Sequence, residues 1–76
     1  MLTIDKEIFA KEFGAFIRKA REGKGLYQSE VAQKVGISRG YYAHIEAGDR
    51  EIHFMKAFEI CRALGLSISD FEKRME

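Results

Sequence analysis

Proline is absent from the 76 residues, and cysteine occurs once, as Cys61. Without proline the chain has no residue that forbids a helix outright, so its breaks must come from seven glycines, which supply the left-handed conformation at helix ends. A lone cysteine can form neither an internal disulfide nor a cysteine-rich zinc site, and it suits a reducing compartment. The two histidines, His44 and His53, have no metal-ligand spacing, so no metal is expected. No apolar run reaches the roughly 18 residues of a membrane span, and no secretory leader is recognisable. The expectation is a cytoplasmic protein with no membrane partner. Charge of one sign is also lacking: thirteen Lys and Arg stand against twelve Asp and Glu, a formal net charge of +1. That balance gives no strong field for capturing a polyanion, so any such contact must come from local placement. The length is that of one small domain, residues 1–76, which excludes most enzymes. Hydrophobic residues at 46% and charged residues at 33% are enough for a folded core and a hydrated surface.

What is present reads as five helices and no strand. From Asp5 to Glu22, Phe9, Phe13, Phe16, Ile17 and Ala20 recur at spacings of three and four, one buried stripe closed by Gly23 or Gly25. A short helix from Gln28 to Val35 carries Val31, Ala32 and Val35 on one face and stops at Gly36. Ser38 can cap a third helix over about Arg39 to Ala47, with Tyr42 and Ile45 facing inward before Gly48. Phe54, Ala57, Phe58, Cys61 and Leu64 form the stripe expected of a fourth helix, ended by Gly65, with His53 placed to cap its start. Ser67 and Asp70 form a capping box for a short fifth helix, about Ile68 to Arg74. The fold class is all-α, a compact five-helix domain.

The informative stretch is Gln28 to Glu46, in which two short helices meet across a turn built on Gly36. Val31, Val35, Ile37, Tyr42 and Ile45 would fill the wedge between them, and Ala32 is small enough for close approach. This is helix-turn-helix geometry, with its core over residues 28–47. It would hold the second helix away from the body, so that Ser38, Arg39, Gly40, Tyr41 and His44 project outward, able to enter a major groove.

From Phe13 to about Phe71 the sequence resembles the Cro/C1-type (XRE-like) helix-turn-helix transcriptional regulators, a lambda-repressor-like fold. The resemblance is carried by Ile17 and Arg21, by Leu26, Gln28, Ala32, Gly36, Ile37 and Ser38, by Ile45, Glu46, Gly48 and Arg50, and by Ala63, Leu64, Gly65 and Ser67. The chain looks like the short, single-domain members, such as phage Cro-like and restriction-modification controller proteins; the Ser38-Arg39-Gly40-Tyr41 run, with Ile52 where many relatives carry proline, is closer to the controllers. The resemblance implies that Gln28 and Ser38 bond DNA phosphates, that Arg39 and His44 face base edges, that Arg50 reaches the backbone, and that Arg21 and Glu46 form a partly buried ion pair joining helices one and three. Arg39 could donate two bonds to guanine O6 and N7. Tyr41 could meet a thymine methyl or a phosphate, and Gly40 lets the backbone approach phosphate closely.

Besides Ile52, the sequence departs from the family pattern at four positions. Tyr27 stands where relatives place a Ser or Thr cap, leaving Glu30 to reach back to the Tyr27 N–H. Gly40 lies inside the recognition helix, Ala43 replaces a common Ser, and Asp49 puts an acid where relatives often carry Lys or Arg. Residues 26–50 hold three bases and three acids, so positive charge on the DNA side would come from Lys24, Lys34, Arg39 and Arg50 once Glu46 is internally paired.

One reading helix covers only a half-site, so a homodimer on an inverted repeat in double-stranded DNA is expected. Its surface would use some of Ile52, Leu66, Ile68, Phe71 and Met75. Bound across a promoter, the dimer would repress by blocking RNA polymerase or activate by contact with it, and neither needs a cofactor. Cys61 has no arrangement of His or acid around it for nucleophilic catalysis, and the acids show no paired arrangement in a cleft, so no enzyme is expected. The competing expectation is a protein-interaction module on the same fold, using Tyr27, Tyr41 and Tyr42.

Overall fold

The computed structural model describes residues 5–75, which form five helices: α1 (Lys6–Gly23), α2 (Gln28–Lys34), α3 (Arg39–Ala47), α4 (Phe54–Ala63) and α5 (Ile68–Met75). Asp5 starts α1 by accepting from the backbone N–H groups of Glu7 at 2.8 Å and Ile8 at 3.2 Å, which satisfies donors a helix start leaves free. The stripe then buries Phe13 and Ile17 fully, with Phe9, Phe16 and Ala20 packed half-buried beside them. Of the two candidate stops for α1, Gly25 takes the left-handed conformation; Gly23 is still helical.

Gly36 closes α2 at φ +71°, and the chain turns so that the Ile37 N–H donates to the Ala32 carbonyl at 3.0 Å, a helix end that a side chain at φ > 0 would strain. Lys56 of α4 adds a donor, its ammonium meeting the Val35 carbonyl at 2.9 Å. Ser38 caps α3 by accepting from the Tyr41 N–H at 3.0 Å. At α5 the Ser67–Asp70 box is complete: the Ser67 N–H donates to the Asp70 carboxylate at 3.0 Å and the Asp70 N–H to the Ser67 hydroxyl at 3.2 Å. That pair of bonds holds the Asp70 carboxyl below its ordinary range, chiefly through the Ser67 backbone. His53 occupies the position before α4, but its side chain makes no capping bond.

The core runs through all five helices, from Phe13 and Ile17 across Val31, Ala32, Tyr42 and Ile45 to Ile60, Leu64 and Phe71. Phe71 seals one end, its ring edge-on to Phe9 and Phe13 with centroids 5.3 Å apart in each pair. The fourth-helix stripe differs from expectation. Ala57, Ile60, Cys61 and Leu64 point inward, while Phe54 is 67% exposed and Phe58 39%. Apolar residues lie nearly all round α4, so periodicity alone fits two faces; packing against α2 selects the one centred on Ile60.

Candidate nucleic-acid interface

The position of α3 is set from beneath. Gly14, in the middle of α1, lies directly under its last turn: a Cβ there would sit 2.5 Å from the Ile45 carbonyl oxygen and closer still to that of Glu46. Gly48, at φ +74°, makes a matching approach, where a Cβ would stand 2.6 Å from the Lys11 Cα. Two backbones therefore touch at both ends of the crossing, and only hydrogen fits at either position.

Next to this crossing, Glu46 is the one charged residue buried among those described. Its carboxylate accepts from Arg21 Nε at 2.7 Å, Arg21 Nη2 at 3.0 Å and Gln28 Nε2 at 3.0 Å. Arg21 also donates through Nη1 to the Leu26 carbonyl at 2.8 Å, so a single guanidinium ties α1, the loop before α2, and α3. Burial pushes the Glu46 carboxyl up, but the hydrogen bonds from Arg21 and Gln28, with the Arg21 charge beside it, outweigh it and hold the group below its ordinary range. The bond to Glu46 raises Arg21 against a smaller opposing effect of burial. Tyr42 is fully buried beside this pair, and burial followed by the neighbouring Glu46 carboxylate drives its phenol far above the usual value.

Gln28 extends the network to the surface. With its amide nitrogen held by Glu46, its oxygen accepts from Arg39 Nη1 at 3.1 Å. The structure thus joins Arg21, Glu46, Gln28 and Arg39 in one chain of hydrogen bonds. Farther along α3, His44 Nδ1 lies 2.9 Å and 3.1 Å from the two carboxylate oxygens of Asp49. Neither link is signalled by residue spacing, and the sequence marks Asp49 only as an acid close to DNA. The expected bond from the Tyr27 N–H to Glu30 is present at 2.8 Å.

Around the helix axis, Tyr42, Ile45 and Glu46 are buried, whereas Arg39, Gly40, His44 and Ala47 are exposed. Ser38 and Arg50 are exposed as well, and Gln28 and Tyr41 are half-buried. Lys24, Lys34, Arg39 and Arg50 are all exposed, and none has an ion-pair partner among the described residues. Of the three tyrosines expected to serve a protein partner, α3 turns Tyr42 wholly into the core and leaves Tyr41 half-buried at the core's edge; Tyr27 is exposed at 74%. Among residues expected at a dimer surface, Phe71 belongs to the core and Ile52, Leu66 and Ile68 pack against it, leaving Met75 outward. Phe54, Met55 and Phe58 of α4 are the larger exposed apolar group, with the Arg62 guanidinium 6.0 Å above the Phe58 ring.

This arrangement has close counterparts. The chain is 35% identical over 57 residues to the helix-turn-helix-type transcriptional regulator y4dJ of Sinorhizobium fredii, covering 75% of this chain and 74% of that one. It is 31% identical over 65 residues to the control protein C.MunI of a Mycoplasma species, covering 84% and 88%. Among solved structures it superposes on the restriction-modification controller protein C.AhdI of Aeromonas hydrophila with a TM-score of 0.80 and 26% identity over 90% of this chain and 99% of that one. It also superposes on the controller C.Esp1396I, solved as a tetramer with its natural 35 base-pair operator, with a TM-score of 0.76 and 26% identity over 86% of each chain. Residues 17–71 match the helix-turn-helix family itself. The chain belongs to the XRE-type helix-turn-helix family of DNA-binding transcriptional regulators, whose members are not enzymes.

Proposed function

We propose that this chain is a sequence-specific, double-stranded DNA-binding transcription regulator of the cytoplasm, acting as a homodimer with α3 of each copy in the major groove of one half-site. The observation that carries the reading is the two-sidedness of α3: Tyr42, Ile45 and Glu46 clamp it from within while Arg39, Gly40 and His44 face solvent. Arg39 reads a base edge, His44 a second, Ser38, Gln28 and Arg50 bond phosphates, and Tyr41 flanks the groove over a thymine methyl or a phosphate. The backbone at Gly40, where a Cβ would meet nothing within 4 Å, approaches the sugar-phosphate chain closely. The four exposed cations without acidic partners offset a near-neutral total charge. The operator complex of C.Esp1396I supports DNA as the partner.

The second copy docks on α4 through Phe54, Met55 and Phe58, since apolar groups of this size rarely stand together on a surface without an occupant. Two reading helices related by a twofold axis require an inverted repeat, with half-sites about 34 Å apart along the duplex. The bound dimer represses by occluding RNA polymerase or activates by touching it.

Selection of bound fragments from random duplex DNA tests the proposal. Two inverted half-sites should emerge, affinity should fall steeply with added salt, and Arg39→Ala should relax one position in each half-site. No enrichment at low salt would refute the DNA reading, and the exposed Tyr27 surface would then be examined for a protein partner.

A further inference from the structure

We infer that Asp49 is a specificity-determining positioning residue: it locks the His44 ring so that Nδ1–H donates to its carboxylate and Nε2 is offered to DNA as a bare acceptor. The inference rests on the DNA reading above and adds to it the kind of base that His44 takes. Both carboxylate oxygens lie on Nδ1, at 2.9 Å and 3.1 Å, and an ionised carboxylate can only accept. In the neutral ring the proton is therefore on Nδ1, and Nε2 carries a lone pair. Nε2 is at the far side of the ring from Asp49 and has no partner among the described residues.

The two residues are placed for this by the helix end between them. His44 is on the exposed edge of α3, one turn beyond Gly40. The left-handed Gly48 reverses the chain, and the Asp49 N–H returns to the His44 carbonyl at 3.3 Å, which brings the Asp49 side chain back over the last turn. A lone acceptor on that edge matches a base that presents an amine in the major groove, N4 of cytosine or N6 of adenine, and it disfavours the carbonyl edges of guanine and thymine.

Two measurements test this. In the free protein, in mildly alkaline buffer where an ordinary imidazole is uncharged, long-range 1H–15N correlation of His44 should show the Nδ1–H tautomer, and Asp49→Asn should lose it; an Nε2–H tautomer in the wild type would overturn the inference without touching the DNA reading. In duplex selection under the same conditions, the wild type should prefer cytosine or adenine at one position per half-site by about three- to tenfold, as expected of one uncharged hydrogen bond. His44→Ala and Asp49→Asn should each flatten that position, the double variant should be no flatter than His44→Ala, and the position governed by Arg39 should keep its preference. If Asp49→Asn leaves the preference intact, whatever happens to overall affinity, Asp49 has no positioning role. If no half-sites are enriched by the wild type, the DNA reading fails and this inference with it.

Discussion

Replacing Glu46 by Gln isolates the electrostatic part of the joint between α1 and α3, because the amide keeps the size of the carboxylate and one accepting oxygen but removes its charge. The Glu46 side chain is 3% exposed and that of Arg21 12%, so the substitution leaves a guanidinium almost out of water facing an uncharged group. Breaking such a pair costs about 3–5 kcal/mol. Arg21 keeps the Leu26 carbonyl at 2.8 Å and Glu22 at 3.9 Å, which places the expected loss near the lower end, about 3 kcal/mol. For a domain of this size that corresponds to a fall in Tm of about 12 to 24 °C, read by circular dichroism. The pH dependence has a definite sign. Since the folded Glu46 carboxyl lies below its ordinary range, the unfolded chain takes up the proton first on acidification. The stability it contributes is complete above the ordinary carboxylate value and disappears as pH falls through the lowered one. The gap between wild type and Glu46→Gln should thus narrow in acid. Arg21→Met combined with Glu46→Leu should recover part of the loss, since no charge is left unpaired. A Tm within about 4 °C of wild type, a shift of under about 1 kcal/mol, or a gap that widens in acid would refute the account.

Gly14→Ala would gain about 1 kcal/mol in an unhindered helix, but here the new carbon meets the Ile45 and Glu46 carbonyls, so a net loss of at least about 2 kcal/mol is expected; a raised Tm would count against the close crossing. Gly40→Ala meets no neighbour and should raise the stability of the free protein by up to about 1 kcal/mol while weakening binding to the selected operator; unchanged operator affinity would remove the proposed approach of backbone to phosphate. Phe54→Glu places an acid in the first turn of α4, which suits a helix start, and should weaken self-association at least about tenfold in sedimentation equilibrium; an unaltered dimer would exclude this face. The Cys61 thiol, pushed up to about 11 mainly by burial and further by Asp70, should react with a thiol reagent at least about 100-fold more slowly in the folded than in the unfolded chain, and rapid native labelling would contradict its burial.

Helix order and turn chemistry could be read from the sequence because they are local. Gly36, Ser38 and the Ser67–Asp70 pair act on backbone groups within a few residues, and each sits at the helix end expected of it. The face of α4 could not be read, since Phe54, Met55, Phe58, Ile60 and Cys61 give two overlapping stripes and only contact with α2 chooses between them. Gly14 was illegible for a related reason: a glycine inside a helix looks like a weakness until the partner it admits is known. The outward placement of Ser38, Arg39 and His44 was legible from the pattern of residues around the turn, while Gln28 was singled out only by the family resemblance. The bonds that orient them, from Glu46 through Gln28 to Arg39 and from Asp49 to His44, join positions whose geometry is set by the crossing of α1 with α3 and by the reversal at Gly48. Residue type and spacing do not encode those distances.

The contact of main chain with main chain at Gly14 and Gly48 has an evolutionary corollary. Because the pitch of α3 is set from within, by peptide groups resting on hydrogen atoms and by Tyr42, Ile45 and Glu46, the residues along its outer edge carry little of the duty of holding it in place. On the proposed DNA reading, substitution at the exposed positions 39, 40, 44 or 47 would then alter which letters are recognised without tilting the helix. On that reading a scaffold of this kind could be retargeted one letter at a time, each intermediate still folding.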